Sequence, residues 1–305
     1  REPPPAASEK AQQPAAQSSA AGAPAKSASG GGGGGGTTSD PTHRWDVIFG
    51  DGYGSGTEAN NAQLFALNAR TGENRSFSPI ETASGNPNGM ATPFVADEDQ
   101  DNNADLIYAG DLRGNVWKFT LNSSNEWTVG SNPLFVAEDD DGNRQPITSK
   151  LDVGLNSERE KVVTFGTGKY LETADQNPDA ASPQTLYGLI DTDDGQIARS
   201  DLLEQTLESS VNEDGRDYRI VSDNDLGSHD GWRVSLDPAD GGAKEGERSV
   251  VQPLVRGGVV TFVTIVPSTN PCDAGGTSWL TSVNINDGSR LAGSFFDVNN
   301  DGEIN

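Results

Sequence analysis

Residues 95–119 read VADEDQDNNADLIYAGDLRGNVWKF, an acidic loop followed at once by two apolar runs. Asp97, Asp99, Asp101 and Asp105 fall at positions 1, 3, 5 and 9 of an EF-hand-type loop, and at position 7 the backbone carbonyl of Asn103 would face the ion. Hard oxygen donors at alternate positions let one curled loop bring several carboxylates onto a single cation, and Ca²⁺ tolerates the irregular geometry that results. The loop departs from the helical EF-hand twice. Position 6 is Asn102 instead of glycine, and position 12 is Tyr108 instead of a bidentate glutamate. Asparagine can still adopt the left-handed turn, whereas the missing glutamate means that the site is closed in another way. The residues after the loop are not helical either. Leu106-Ile107-Tyr108-Ala109 and Val116-Trp117-Lys118-Phe119 are rich in strand formers, and residues 110–115 between them supply turn chemistry. The pattern predicts a calcium loop, residues 97–105, capping a β-hairpin.

The same order of apolar strand, turn and second strand recurs along the chain. It is found in Trp45 to Gly50 followed by Gln63 to Asn68, in Val162 to Gly168 followed by Thr185 to Asp191, and in Val259 to Thr264 followed by Ser278 to Asn284. Degenerate hairpin repeats with uneven insertions predict an all-β fold: an irregular β-propeller holding a partial set of blades, with few short helical insertions. Trp232 to Leu236 alternates as a further strand, and residues 201–210 (DLLEQTLESS) carry the one amphipathic helical turn. The stretch before residue 41 is different. Residues 1–40 are Ala, Pro, Ser, Gln and Lys ending in glycines, with almost nothing to bury, and they predict a disordered linker ahead of a domain at 41–305.

Composition excludes several classes of function. With 46 acidic against 21 basic residues the net charge is −25, which argues against nucleic acid as a partner. A single cysteine, Cys272, rules out an intrachain disulfide. No run approaches the ~20 apolar residues of a membrane helix. Catalysis finds little support: His43 and His229, the only histidines, sit in polar stretches outside any triad or metal pattern, and no base lies near Cys272 in sequence. The chain is expected not to be an enzyme.

A second loop closes the sequence. Asp297, Asn299, Asp301 and Asn305 occupy positions 1, 3, 5 and 9, with Gly302 at 6 and Glu303 beside it, and this loop is a second candidate metal site. Residues 139–142 and 191–195 are similarly acidic but lack the full register, and predict hairpin turns.

Residues 47–53, 108–119, 165–171 and 267–280 together resemble the type IV pilus biogenesis and tip-adhesin proteins of the PilY/PilC kind, over roughly residues 45 to 305. The resemblance implies a C-terminal β-propeller-like domain whose calcium loop matches Asp97, Asp99, Asp101, Asn103 and Asp105. It further implies that metal occupancy controls pilus extension against retraction, and with it twitching motility and surface attachment. The implied partners are minor pilins and a host or abiotic surface, at the pilus tip or outer membrane. The secretion signal, the adhesive region and the opening blades of such proteins are absent from this chain, which is therefore expected to be a fragment. Two alternatives share the fold: a quinoprotein-type dehydrogenase propeller using calcium and a quinone, and a purely structural calcium-stiffened interaction module. Against the first, one cysteine forbids the vicinal disulfide expected beside the quinone.

Overall fold

The computed structural model describes residues 45–53, 60–177, 182–208, 217–241, 245–268 and 276–293, together with the backbone alone of Ala21–Ala25, Arg44, Val211–Glu213 and Arg216. Among them the chain is built from strands, with single 3-10 turns at Thr173–Gln176 and Arg199–Asp201.

Four main sheets follow one another along the chain. The first runs β1 (Ala21–Ala25), β2 (Arg44–Gly50), β3 (Gln63–Asn68) and β4 (Ile80–Glu81) as an antiparallel meander. The second runs β5 (Phe94–Ala96), β6 (Leu106–Gly110), β7 (Asn115–Leu121) and β8 (Trp127–Val129), and β9 (Phe135–Val136) adds to β7 beyond the end of β8. The third comprises β10 (Asp152–Leu155), β11 (Lys161–Gly166), β12 (Thr185–Asp191) and β13 (Leu203–Gln205). After a small ladder of β14 (Val211–Glu213) and β15 (Arg216–Tyr218) it is completed by β16 (Gly231–Ser235), which lies between β12 and β13. The fourth is β17 (Leu254–Arg256), β18 (Val259–Pro267) and β19 (Gly276–Asn284). The leading strands touch in series, β1 on β5, β5 on β10 and β10 on β17, as the inner strands of successive propeller blades do. Each predicted hairpin forms: β2 pairs β3, β6 pairs β7, β11 pairs β12 and β18 pairs β19.

The apolar runs explain the stacking. In a strand, neighbouring side chains face opposite ways, so a run that is apolar at every position requires cover on both faces. In β6, Ile107 and Ala109 face the first sheet, where they join Ile48, Leu64, Ala66 and Trp117. Leu106 and Tyr108 face the third sheet and meet Val116, Phe135, Val163, Phe165 and Tyr187. In β12, Tyr187 and Leu189 belong to that second seam, while Leu186 and Ile190 turn to the fourth sheet with Trp232, Val260, Phe262 and Val283. Three apolar seams thus join four sheets. Burying each large side chain in them is worth about 1.5–3 kcal/mol.

Close packing at the third seam depends on a glycine. Trp232 lies fully buried with its indole Nε1 donating to the Ile285 carbonyl at 2.9 Å. Gly188, opposite it on β12, leaves the space for the ring: a Cβ there would come within 2.3 Å of Cε2.

Hairpin tips repeat one device. Asp111, Asn122, Asp139 and Asn156 each use Oδ1 to accept the backbone N–H groups two and four residues ahead. The residue three ahead, Gly114, Asn125, Gly142 or Arg159, takes a positive φ. This is the side-chain-closed turn that aspartate and asparagine favour, and it is the turn formed by residues 139–142.

The sequence reading and the structure differ in three places. Residues 191–195, expected as a hairpin turn, do not close one, because the next strand of the third sheet, β13, pairs β16 and not β12. Ala21–Ala25, within the expected linker, pairs in register with Arg44–Ile48. Ladder pairing uses backbone groups alone, so a segment with no apolar face can still add to an open strand edge. The rest of residues 1–40 lies outside the described residues. Of residues 201–210, those described form no amphipathic helical turn: only Arg199–Asp201 coils, and Leu203–Gln205 pairs parallel with Trp232–Val234. Alternation decides it, because Gln205 and Leu207 are buried while Glu204 before them is exposed and Thr206 between them is half-buried. Gln205 is satisfied there by donating Nε2 to the carbonyls of Asn224 and Asp287.

Candidate metal centre

Residues 97–105 form the connection between β5 and β6, whose last pair is Ala96 with Leu106, and the Asp105 amide donates to the Ala96 carbonyl at 2.8 Å. The tip is folded by its own carboxylates. Asp97 Oδ2 accepts the Asn102 amide at 2.9 Å, Asp101 Oδ1 accepts that of Asn103 at 2.8 Å, and Asp105 Oδ2 accepts those of Glu98 and Asp99 at 2.9 and 3.4 Å. Gln100 and Asn102 take the left-handed conformation, with φ of 60° and 67°. Asn102 does what position 6 of such a loop requires without glycine.

This curl brings one carboxylate oxygen each of Asp97, Asp99 and Asp105 within 4.8 Å of one another. Two oxygens bound on opposite sides of Ca²⁺ at about 2.4 Å stand about 4.8 Å apart, so the trio has the span of a calcium shell. Its donors are all hard oxygens, and Asp97 and Asp99 are exposed to incoming solute while Asp105 is half-buried. The residues present therefore fit the ion. Asp101 lies on the same tip outside the converging trio, and Asn103 follows it. The second candidate loop, with Asp297, Asn299, Asp301, Glu303 and Asn305, lies outside the described residues, as do His43 and Cys272. His229 is exposed, with Nδ1 2.6 Å from the Leu226 carbonyl oxygen.

Beside the loop runs a chain of charges that sequence reasoning missed. Glu98, between the first two acidic positions, meets Lys161 Nζ at 2.7 Å. Lys161 also reaches Asp193 at 3.2 Å, Asp193 pairs with Lys118, and Lys118 lies 2.7 Å from Asp191, which accepts the Tyr108 hydroxyl at 2.5 Å. Burial works against the Lys161 charge, yet its hydrogen bonds to Glu98 and Asp193 outweigh it and raise its pKa. The Lys118 hydrogen bond holds the Asp193 carboxyl below its usual range. Tyr108 is pushed well up by burial and then by the Asp191 charge. The members sit on four strands and two loops, so spacing along the chain carries no trace of them. Their one shared sign is a lysine within an otherwise apolar strand.

Comparisons with known proteins bear on the fold. Residues 39–214 match the family model described as the PilY1 beta-propeller domain. A type IV pilus biogenesis factor PilY1 homolog of Xylella fastidiosa is 36% identical over 260 residues, covering 77% of this chain and 17% of that protein. The type IV pilus biogenesis factor PilY1 of Pseudomonas aeruginosa strain UCBPP-PA14 is 30% identical over 313 residues, covering 86% of this chain and 27% of its own length. The chain thus spans about a quarter or less of these curated relatives. The crystal structure of the P. aeruginosa PilY1 C-terminal domain superposes with a TM-score of 0.74 at 28% identity, over 86% of this chain and 59% of that one. Among the described residues no helix is long and apolar enough to cross a membrane. Sheets stacked as blades, the family match over 39–214 and the likeness to that crystal structure lead to one conclusion: the chain belongs to the PilY1 β-propeller family of type IV pilus biogenesis factors.

Proposed function

We propose that this chain is the calcium-binding β-propeller module of a type IV pilus biogenesis factor, acting by binding and not by catalysis. It works at the cell surface, at the pilus tip or outer membrane, in the control of pilus extension against retraction, in twitching motility and in surface adhesion. Its partners are pilus components, minor pilins among them, and the host or abiotic surface. The observation that carries the reading is the convergence of Asp97, Asp99 and Asp105 at the tip of a hairpin, in a chain whose relatives are named pilus biogenesis factors. Asp97, Asp99 and Asp105 would hold the ion, with Asp101 and the Asn103 carbonyl as further oxygen donors.

Bound Ca²⁺ would supply the positive charge that offsets these mutually repelling carboxylates. The apo and holo tips then present different surfaces, and a partner that prefers one by a few kcal/mol converts occupancy into a change of assembly. The test is calorimetry: Asp105→Ala should weaken calcium binding by more than about tenfold, and unchanged affinity would remove the ligand assignment. In the full-length parent protein the same substitution should alter pilus number or twitching. Wild-type piliation and motility despite proven loss of calcium binding would reduce the loop to a structural staple.

A further inference from the structure

Glu98 holds an unusual place in the loop. Its backbone amide donates to Asp105 Oδ2, one of the converging carboxylates, and its side chain leaves the loop to meet Lys161 on the neighbouring sheet. Lys161 is the first residue of β11, opposite Asp191 in the ladder, and its side chain is 13% exposed. Its Nζ cannot follow the loop freely, because Asp193 holds it from the other side and Lys118 in turn holds Asp193 and Asp191. The tip of the β5–β6 hairpin is thereby pinned, through one residue, to a charge fixed on the third sheet.

From this arrangement we infer that Lys161 is a positioning residue for the calcium loop. It acts through Glu98 and sets the spacing of Asp97, Asp99 and Asp105 before the ion arrives. The inference rests on the calcium reading of residues 97–105 and deepens it, since it makes calcium affinity depend on the contact between the second and third sheets. Coupling of this kind is reciprocal: if the contact favours binding, binding favours the contact. Occupancy of the loop is then felt at the seam that holds Tyr108, Phe165 and Tyr187.

The sign of one substitution separates positioning from simple electrostatics. A lysine beside a cation site repels the incoming ion, so by Coulomb's law alone Lys161→Met should tighten calcium binding, and more so at low salt. A positioning role predicts the reverse. Residues that orient metal ligands typically change affinity by about 10–100-fold when removed, and Lys161→Met in the 305-residue chain is expected to raise the calcium Kd by about tenfold. Lys161→Arg, which can still reach Glu98, should restore binding to within about threefold of the original. In a Glu98→Gln background the methionine substitution should add little, since the residue it acts through is already gone. Where methionine disturbs the strand, Lys161→Gln serves the same measurement.

Calorimetry on these variants, with circular dichroism to show that each is folded, decides the matter. Weaker binding with arginine rescue supports the inference. Unchanged or tighter binding in Lys161→Met overturns it and leaves the calcium loop standing. An original chain that binds no calcium overturns the loop assignment itself, an outcome the same titration reads directly.

Discussion

Asp111 closes the β6–β7 hairpin from a fully buried position, and its two oxygens are purely acceptors. Oδ1 takes the amides of Arg113 and Asn115, both at 2.9 Å. Oδ2 takes Asn88 Nδ2 at 2.9 Å and both Asn115 Nδ2 and Trp117 Nε1 at 2.8 Å. Asp111→Asn keeps the shape and removes this capacity. Whichever way the amide turns, its NH₂ faces either two backbone donors or three side-chain donors, so the gentler orientation still forfeits two bonds. A hydrogen bond to a charged group contributes about 1.5–3 kcal/mol, and two of them partly relaxed put the loss at about 3–4 kcal/mol. For a domain of this size that is a fall of about 10 °C in thermal midpoint. Urea unfolding followed by tryptophan fluorescence should show a lower midpoint with an unchanged m-value. A loss below about 1 kcal/mol would mean that Asp111 is not the acceptor hub described, since no rotation of an asparagine satisfies all of those donors.

Packing and charge each supply a further expected outcome. Gly188→Ala should cost about 2–3 kcal/mol by driving a methyl into the pinned Trp232 ring; a urea midpoint within about 0.5 kcal/mol of the original would show that the third seam is looser than its distances imply. The Asp193 carboxyl, lowered first by its hydrogen bond to Lys118, has a folded pKa beneath its ordinary 3.8. Such a group binds fewer protons folded than unfolded, so its contribution is present above 3.8 and is lost as pH falls below that value toward the folded one. Asp193→Asn should flatten the acid side of the stability profile, read as thermal midpoints from about pH 6 to about pH 3, and an unaltered slope would refute the assignment.

The strands that pack on both faces were the legible part of the fold. LIYAG and the LYGLI within TLYGLID are unbroken apolar runs, and only a strand covered on both sides accommodates that. Acidic spacing is local too: Asp97, Asp99 and Asp105 converge at one hairpin tip, while Asp101, read as a fourth member, stays outside the trio. Residues 201–210 were misread because a buried glutamine looks polar in sequence. Gln205 belongs inside only because carbonyls from residues 224 and 287 await it, and those are distant in the chain. The same holds for Lys118 and Lys161. Each looks like an ordinary charged residue until Asp191, Asp193 and Glu98 are placed around it.

The serial order of the sheets bears on how the domain opens. Among the described residues the second and third sheets each take part in two apolar seams, the first and fourth in one. When stability is a sum of neighbour contacts, an end unit can detach by breaking one contact while an inner unit must break two. Transient opening should therefore be graded along the chain. Amides of β6, β7, β11 and β12 would exchange with solvent only on near-global unfolding, and those of β3 and β18 through cheaper partial excursions. The acidic hairpin tip springs from the slow-exchanging middle of this gradient, so a change at residues 97–105 is delivered to the part of the molecule least able to absorb it by local fraying.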